Sequence, residues 1–203
     1  SDMILAETTC DGKKKMYDLL GQHKRMYVLQ LPQGIDRSYA RKLWIAEIRR
    51  FIDFVSKEFG VTITNESLRA AATQRNELRR ARAALMELQR SSPAPVSGLT
   101  LYKFMEGLGY NFNLDDAIAS TRALTEEIRK GYTAGQNDGS GARILITGCP
   151  IGGVLDKVVG AVERNGGAVV CYENCGGIKT ARCYVDTERE DMAEAIAGAD
   201  LEI

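Results

Sequence analysis

Apolar and polar residues follow the same order near both ends of the chain. In the first part, residues 3–6 and 26–31 are apolar runs of strand length. Between them lie a turn-rich loop at 8–12 and a helical pattern at 13–20, which Gly21 closes. This order predicts a strand, a loop, a helix and a second strand.

The second part repeats that plan. Arg143–Thr147 is predicted as a strand, 148–153 as a loop, 154–165 as a helix and 168–172 as a strand. The stretch between the two parts has apolar residues at helical spacing. The spacing predicts four helices there: one over 38–59, one that Asn65 caps, a short one near Leu99 and one that Asn113 caps. A linker is predicted at 135–141.

The pattern predicts an α/β fold with two parallel-sheet units of the Rossmann or flavodoxin type, joined by a helical segment. Residues 1–35 are assigned to the end of a first α/β domain, 36–135 to the helical segment and 136–203 to part of a second α/β domain. A strand starts almost at the first position, and the last residues lack a capping or polar tail. We therefore expect an internal portion of a longer protein, incomplete at both ends.

Charge and hydropathy exclude two classes of partner. The 27 lysine and arginine residues balance 27 aspartate and glutamate residues, so the formal net charge is zero. Nucleic-acid binding depends on surplus positive charge, and we expect no such partner. No apolar run approaches the roughly 18 residues of a membrane span, so we expect no membrane association and a cytoplasmic protein.

The cysteines are the main candidates for chemistry. There are five, and their odd number and uneven spacing favour thiols or metal ligands over disulfides. Parallel α/β sheets bind ligands beyond the carboxyl ends of their strands. Cys10, Cys149 and Cys175 each follow a predicted strand, so we expect them at such an edge. Cys171 and Cys183 are interpreted as small packing residues.

Cys10 has the most favourable surroundings of the five. It lies in a polar loop, and Lys13, Lys14 and Lys15 follow it at the start of the predicted helix. Positive charge and a helix N-terminus stabilise the thiolate, which is the form that binds iron or attacks an electrophile. The residues alone leave a metal, a redox and a packing role open for Cys10.

Other constellations are weaker. The spacing of Cys171 and Cys175 differs from that of zinc knuckles, and the single histidine, His23, lies at a predicted helix end. Glycine-rich loops at 148–153 and 175–179 match neither a dinucleotide nor a P-loop pattern, and tight turns explain them as well as phosphate binding does. Arginines on the second predicted helix alternate with glutamates, so we interpret them as an ion-paired surface instead of an anion-binding face.

Four strings carry a family resemblance. They are 6–17 (AETTCDGKKKMY), 29–32 (LQLP), 144–153 (ILITGCPIGG) and 172–179 (YENCGGIK). Together they resemble the 2-hydroxyacyl-CoA dehydratase family, and most of all its double-cubane cluster protein branch, which is related to the cluster subunits of benzoyl-CoA reductases. The resemblance extends almost from end to end, and the Cys-Asp-Gly-Lys-Lys-Lys string is its most specific part.

The resemblance implies two α/β domains that hold a 4Fe–4S or double-cubane iron–sulfur cluster in the cleft between them, bound by cysteines. In the dehydratases such a cluster passes one electron to a 2-hydroxyacyl-CoA, which then expels its hydroxyl group. An ATP-dependent activator with its own iron–sulfur cluster supplies that electron. In the double-cubane branch the resemblance implies a reductase with the same kind of activator, acting on a CoA thioester or a small reducible substrate. A second copy or a paralogous subunit is the further partner expected.

Residue by residue, Cys10 matches the Cys-Asp cluster motif of the family and is the first candidate metal ligand. Cys175 is the second candidate ligand, and Cys149 is a further candidate for binding the cofactor. The other cluster cysteines of the family lie outside these residues. The resemblance therefore implies a cluster in the full-length protein and an inactive portion without one here.

Two alternatives stay open. The chain is either part of an enzyme, a lyase or oxidoreductase of anaerobic metabolism, or a non-catalytic module that docks an activator or a sister subunit. A third possibility is an enzyme that uses Cys10 as a nucleophile.

Overall fold

The computed structural model describes residues 2–108, 110–132, 141–174 and 176–201, which form a mixed helical and stranded structure. Within these residues the four strands pair as two parallel two-stranded sheets. The strands are β1 (Ile4–Glu7), β2 (Met26–Leu29), β3 (Arg143–Thr147) and β4 (Ala168–Glu173). The predicted α/β fold class is confirmed.

Eight α-helices accompany these strands in the described residues. They are α1 (Asp11–Leu20), α2 (Ala40–Phe59), α3 (Asn65–Glu87), α4 (Gly98–Leu108), α5 (Leu114–Gly131), α6 (Leu155–Arg164), α7 (Ile178–Arg182) and α8 (Met192–Leu201). Short 3₁₀ turns lie at Leu88–Arg90 and Gly152–Val154. Within the part of the chain that is described, no helix combines the length and the apolar character that crossing a membrane would need.

Contacts group the chain into two compact units. Unit 1 comprises Ser1–Ala71 and Val185–Ile203, and unit 2 comprises Ala72–Tyr184. The domain boundaries predicted at residues 35 and 135 follow the succession of helices and strands, and they stay a prediction. The predicted linker at 135–141 lies outside the described residues except for Gly141.

Unit 1 is a β–α–β unit with additional helices. β1 and β2 are parallel, with Ile4 opposite Met26 and Glu7 opposite Leu29. Its core lies between α2 and α8, where apolar side chains exclude water. The buried members of this cluster are Trp44, Ile45, Ile48, Ala193 and Ala197.

Unit 2 repeats the parallel strand pair. β3 and β4 run from Arg143 opposite Ala168 to Thr147 opposite Glu173, and α6 connects them. α4, α6 and the sheet enclose a core with these buried members: Leu85, Met86, Leu101, Tyr102, Met105, Leu155, Val159, Val169, Tyr172 and Ala181. The strands and helices predicted from spacing are all present, with ends displaced by one or two residues.

The caps follow the sequence in one case and differ from it in another. Asn113 caps α5 as predicted, because its Oδ1 accepts the N–H groups of Asp115 at 3.1 Å and Asp116 at 3.3 Å. Asn65 does not cap α3. Thr64 accepts the N–H of Ser67 at 3.2 Å instead, and the Oδ1 of Asn65 accepts the N–H of Met192 at 3.1 Å, at the start of α8.

Candidate functional site

Cys10 lies directly beyond the carboxyl end of β1, where it is the N-cap residue of α1. Its side chain is exposed, and its carbonyl accepts the N–H of Lys13 at 3.1 Å. A Cβ atom placed on Gly12 would lie 4.0 Å from Cys10 Sγ. The thiol therefore stands over the first helical turn, where unpaired backbone N–H groups and the positive end of the helix dipole favour negative charge.

Hydrogen bonds hold the loop that carries Cys10. Thr8 Oγ1 accepts the N–H of Leu31 at 2.9 Å, and the N–H of Thr8 donates to Leu29 O at 3.1 Å. Tyr17 Oη donates to the Glu7 carbonyl at 3.1 Å, which joins α1 to the end of β1. The edge where Cys10 lies is thus fixed by contacts to both neighbouring elements.

The lysines after Cys10 contribute less positive charge than the sequence indicates. Lys14 Nζ lies 2.9 Å from Asp11 Oδ1, and Lys15 Nζ lies 3.0 Å from Asp18 Oδ2. The hydrogen bond from Lys14, followed by its charge, lowers the pKa of Asp11. Two of the three lysines are therefore paired with carboxylates of their own helix, which leaves less positive charge beside Cys10 than the sequence indicates.

In unit 2, the carboxyl edge of β3 and β4 is organised around Glu173. Lys179 Nζ lies 2.6 Å from Glu173 Oε1, and Thr147 Oγ1 donates to Oε2 of the same carboxylate. The hydrogen bond from Lys179, followed by that from Thr147, lowers the pKa of Glu173. The carboxylate is charged at neutral pH and ties the ends of the two strands to α7.

Cys149 lies in the loop after β3 at this edge, and its side chain is exposed. The preceding Gly148 has a φ of 114°, in the region that favours glycine. Its N–H donates to Glu173 O at 3.3 Å. The predicted position of Cys149 at a strand end is therefore observed, while its role as a cofactor ligand stays a prediction.

Asn174 is the residue of this edge that sequence reasoning missed. It is 2% exposed, and its Oδ1 accepts the N–H of Gly176 at 3.2 Å, whereas Nδ2 is buried without a hydrogen-bond partner. A Cβ atom on Gly177 would lie 2.0 Å from Tyr172 O, so the loop passes too close to β4 for any larger residue. The signal in the sequence was a polar pair that follows an apolar strand and precedes two glycines.

The remaining cysteines differ in setting. Cys175 lies outside the described residues. Cys171 is half-buried in β4, and burial raises the pKa of its thiol, while Cys183 Sγ donates to Lys179 O at 3.0 Å. Within the described ranges no three His, Cys, Asp or Glu side chains are grouped so that they could hold a metal ion. Cys10 belongs to unit 1 and Cys149 to unit 2.

Parallel strand pairs joined by helices, with exposed cysteines just beyond strand ends, define the class of this protein as an α/β protein. Residues 1–202 match the family described as 2-hydroxyglutaryl-CoA dehydratase, D-component. The chain belongs to this family, and the resemblance seen in the sequence is confirmed.

One curated relative is "Putative dehydratase subunit YjiM" of Escherichia coli (strain K12). It is 41% identical over 204 residues, which cover 100% of this chain and 53% of the relative. The chain thus spans about half the length of that relative.

Proposed function

We propose that this chain is a portion of a 2-hydroxyacyl-CoA dehydratase-type subunit, in which Cys10 supplies one thiolate ligand to a 4Fe–4S or double-cubane iron–sulfur cluster. The observation that supports this most is the setting of Cys10. Its thiol is exposed beyond the end of β1 and stands over the N-terminus of α1. Family membership over residues 1–202 supports the reaction class.

Cys10 fits the role of one cluster ligand, and the described residues do not identify the other ligands. Iron–sulfur clusters are held by cysteine thiolates, and a helix N-terminus offsets the negative charge of a thiolate. Since the described residues contain no group of three or more potential ligands, further ligands would come from Cys175 or from elsewhere in the longer protein. Cys149, exposed in the loop after β3, remains a further candidate.

When bound, the cluster would supply one low-potential electron to a CoA thioester or a related small substrate. The residues of this chain would hold it. Cys10 would bind iron, Thr8 and Tyr17 would keep the ligand loop against the neighbouring strand and helix, and the N-terminus of α1 would stabilise the thiolate.

Two kinds of partner belong to the proposal. The first is an ATP-dependent activator with its own iron–sulfur cluster, which would deliver the electron. The second is another copy of the protein or a paralogous subunit. The printed description of the E. coli relative as a dehydratase subunit supports the second partner.

The test uses the full-length protein, purified and reconstituted without oxygen. We expect brown absorbance, bound iron and an EPR signal on reduction. Cys10→Ala should lose the signal and most of the iron. Cys183→Ala is the matched control, because Cys183 is half-buried and its thiol bonds to a backbone carbonyl in unit 2, so this variant should keep both.

Three outcomes would contradict the proposal. A full-length protein that binds no iron would exclude the cluster. A Cys10→Ala variant that keeps the wild-type iron content and EPR signal would exclude the ligand role. Stoichiometric alkylation of Cys10 at neutral pH without loss of iron would favour the cysteine-nucleophile alternative.

A further inference from the structure

The arginines of α3 separate into two groups in the structure. Three of them have partners: Arg69 donates to Thr187 O at 2.9 Å, Arg79 donates to Asn76 Oδ1 at 3.1 Å, and Arg80 pairs with Glu77 at 2.5 Å. Arg75 and Arg82 form the second group. In the described residues neither has a carboxylate within ion-pair distance. The ion-paired surface predicted from the sequence does not extend to these two arginines.

Arg75 and Arg82 lie on the same face of α3. They are seven residues apart, which is two helical turns, about 10 Å along the axis. That face also carries Leu78, which is 2% exposed, and Met86, which is 6% exposed. Along this face Arg75 is exposed and Arg82 is half-buried.

Arg82 is held in an unfavourable environment for a cation. Its side chain is half-buried, and its Nε is buried without a hydrogen-bond partner. A buried N–H group without an acceptor loses its hydration and gains no compensating hydrogen bond. Burial, followed by the positive charge of Arg75, lowers the pKa of Arg82. Both effects would be relieved by an anion that accepts hydrogen bonds from the guanidinium group.

We propose that Arg82 and Arg75 bind a phosphate group. Two arginines without carboxylate partners on one helix face match an anion with more than one charge, and the planar guanidinium group of Arg82 can donate two parallel hydrogen bonds to phosphate oxygens. The phosphate could belong to the coenzyme A part of a substrate or to a free pyrophosphate. The first source rests on the proposed function, whereas the phosphate site itself does not.

The test is binding to the full-length protein, measured by calorimetry with coenzyme A and separately with inorganic pyrophosphate. Arg82→Gln keeps a polar side chain and removes the charge, and we expect its affinity for the bound anion to fall at least tenfold. Arg82→Lys keeps the charge but loses the paired donors, so its affinity should lie between those of the wild type and Arg82→Gln. Arg90→Gln is the matched control, since Arg90 is exposed and pairs with Glu87 at 3.0 Å; its affinity should stay within twofold.

The outcomes separate the site from the proposed function. Loss of coenzyme A binding in Arg82→Gln with unchanged iron content supports the site with a substrate phosphate. Loss of pyrophosphate binding, in a protein that does not bind coenzyme A, supports the site with a free phosphate source. Equal affinity of wild type and Arg82→Gln for both probes would overturn the proposal. A folded, iron-binding Arg82→Gln protein with a lowered melting temperature and unchanged affinities would also overturn it, since a carboxylate elsewhere in the longer protein then pairs with Arg82.

Discussion

Gly98 marks the closest approach of α4 to β4, and alanine at this position tests the packing of unit 2. A Cβ atom on Gly98 would lie 2.4 Å from the carbonyl oxygen of Val169 and 2.5 Å from its Cβ. The obstacle includes backbone, so the helix or the strand must move. Gly98 also accepts a hydrogen bond from Tyr172 Oη at 2.8 Å, and its N–H donates to Glu163 Oε1 at 2.5 Å.

The expected loss of stability has two sources. Overpacking of a core of this kind costs about 1–3 kcal/mol. If the movement separates Tyr172 Oη from its acceptor, a buried hydroxyl without a partner costs about 1–3 kcal/mol more. Gly98→Ala should therefore destabilise unit 2 by about 2–6 kcal/mol.

Gly107 provides a control of opposite sign on the same helix. It is exposed, and no atom lies within 4 Å of a Cβ atom placed there. Alanine in the interior of a helix is more favourable than glycine by about 0.5–1 kcal/mol, and the gain is smaller for Gly107 because it lies in the last turn of α4. Gly107→Ala should therefore stabilise α4 slightly, although both variants make the same chemical change.

Hydrogen exchange of the β4 amides is the suitable measurement. The chain has one tryptophan, Trp44, which belongs to unit 1, so its fluorescence does not report on unit 2 directly. Peptides from 168–174 should exchange about thirtyfold faster or more in Gly98→Ala and no faster in Gly107→Ala. Equal exchange in the two variants would refute the close approach of α4 to β4.

Three further predictions concern caps and edges. Asn113→Ala should destabilise α5 by about 1 kcal/mol, and unchanged urea unfolding by circular dichroism would contradict its role as a cap. Trp44→Phe removes the bond from Nε1 to Asp200 Oδ2 at 3.1 Å and should cost about 1 kcal/mol, seen as faster exchange in α8. The lowered pKa of Glu173 stabilises the folded edge at neutral pH, and this contribution is lost as the pH falls through that lowered pKa. Thr147→Val should raise that pKa in an NMR titration, and an unchanged value would exclude the hydrogen bond.

Local patterns were sufficient to predict most elements of this fold. The strands, α1 to α6 and the Asn113 cap depend on spacing and on residues within a few positions of each other. What the sequence did not indicate depends on distant contacts. Asn65 has the chemistry of an N-cap, yet its side chain bonds to Met192, and no local rule distinguishes these partners.

α8 was missed for a different reason, because a local signal was present. Asp191 Oδ1 accepts the N–H groups of Ala193 at 2.9 Å and Glu194 at 3.2 Å, as an N-cap does. The helix that follows is rich in alanine and has no strong polar face, since it packs into the core of unit 1 against α2. A search for amphipathic spacing does not detect a helix of this kind.

At the candidate sites, too, local patterns predicted positions, whereas features that depend on distant contacts were not predicted. The position of Cys10 followed from its place after a strand. Its electrostatic setting did not, because the sequence shows lysines and aspartates without showing which of them pair. On α3 and the 3₁₀ turn that follows it, the alternation of arginine and glutamate correctly indicated pairs for Arg80 and Arg90. It failed for Arg82, whose burial depends on the whole unit.

Charge pairing determines which positive features remain available to a ligand near Cys10 and on α3. A positive charge next to a carboxylate has little left to offer a ligand, and this holds for Lys14 beside Asp11 as it does for Arg80 beside Glu77. The features that can still attract an anion are those that lack such a neighbour. In unit 1 the N-terminus of α1, over which Cys10 lies, is one such feature. In unit 2 Arg82, whose buried Nε has no hydrogen-bond partner, is another. The formal net charge of zero, counted from the sequence, does not reveal either feature.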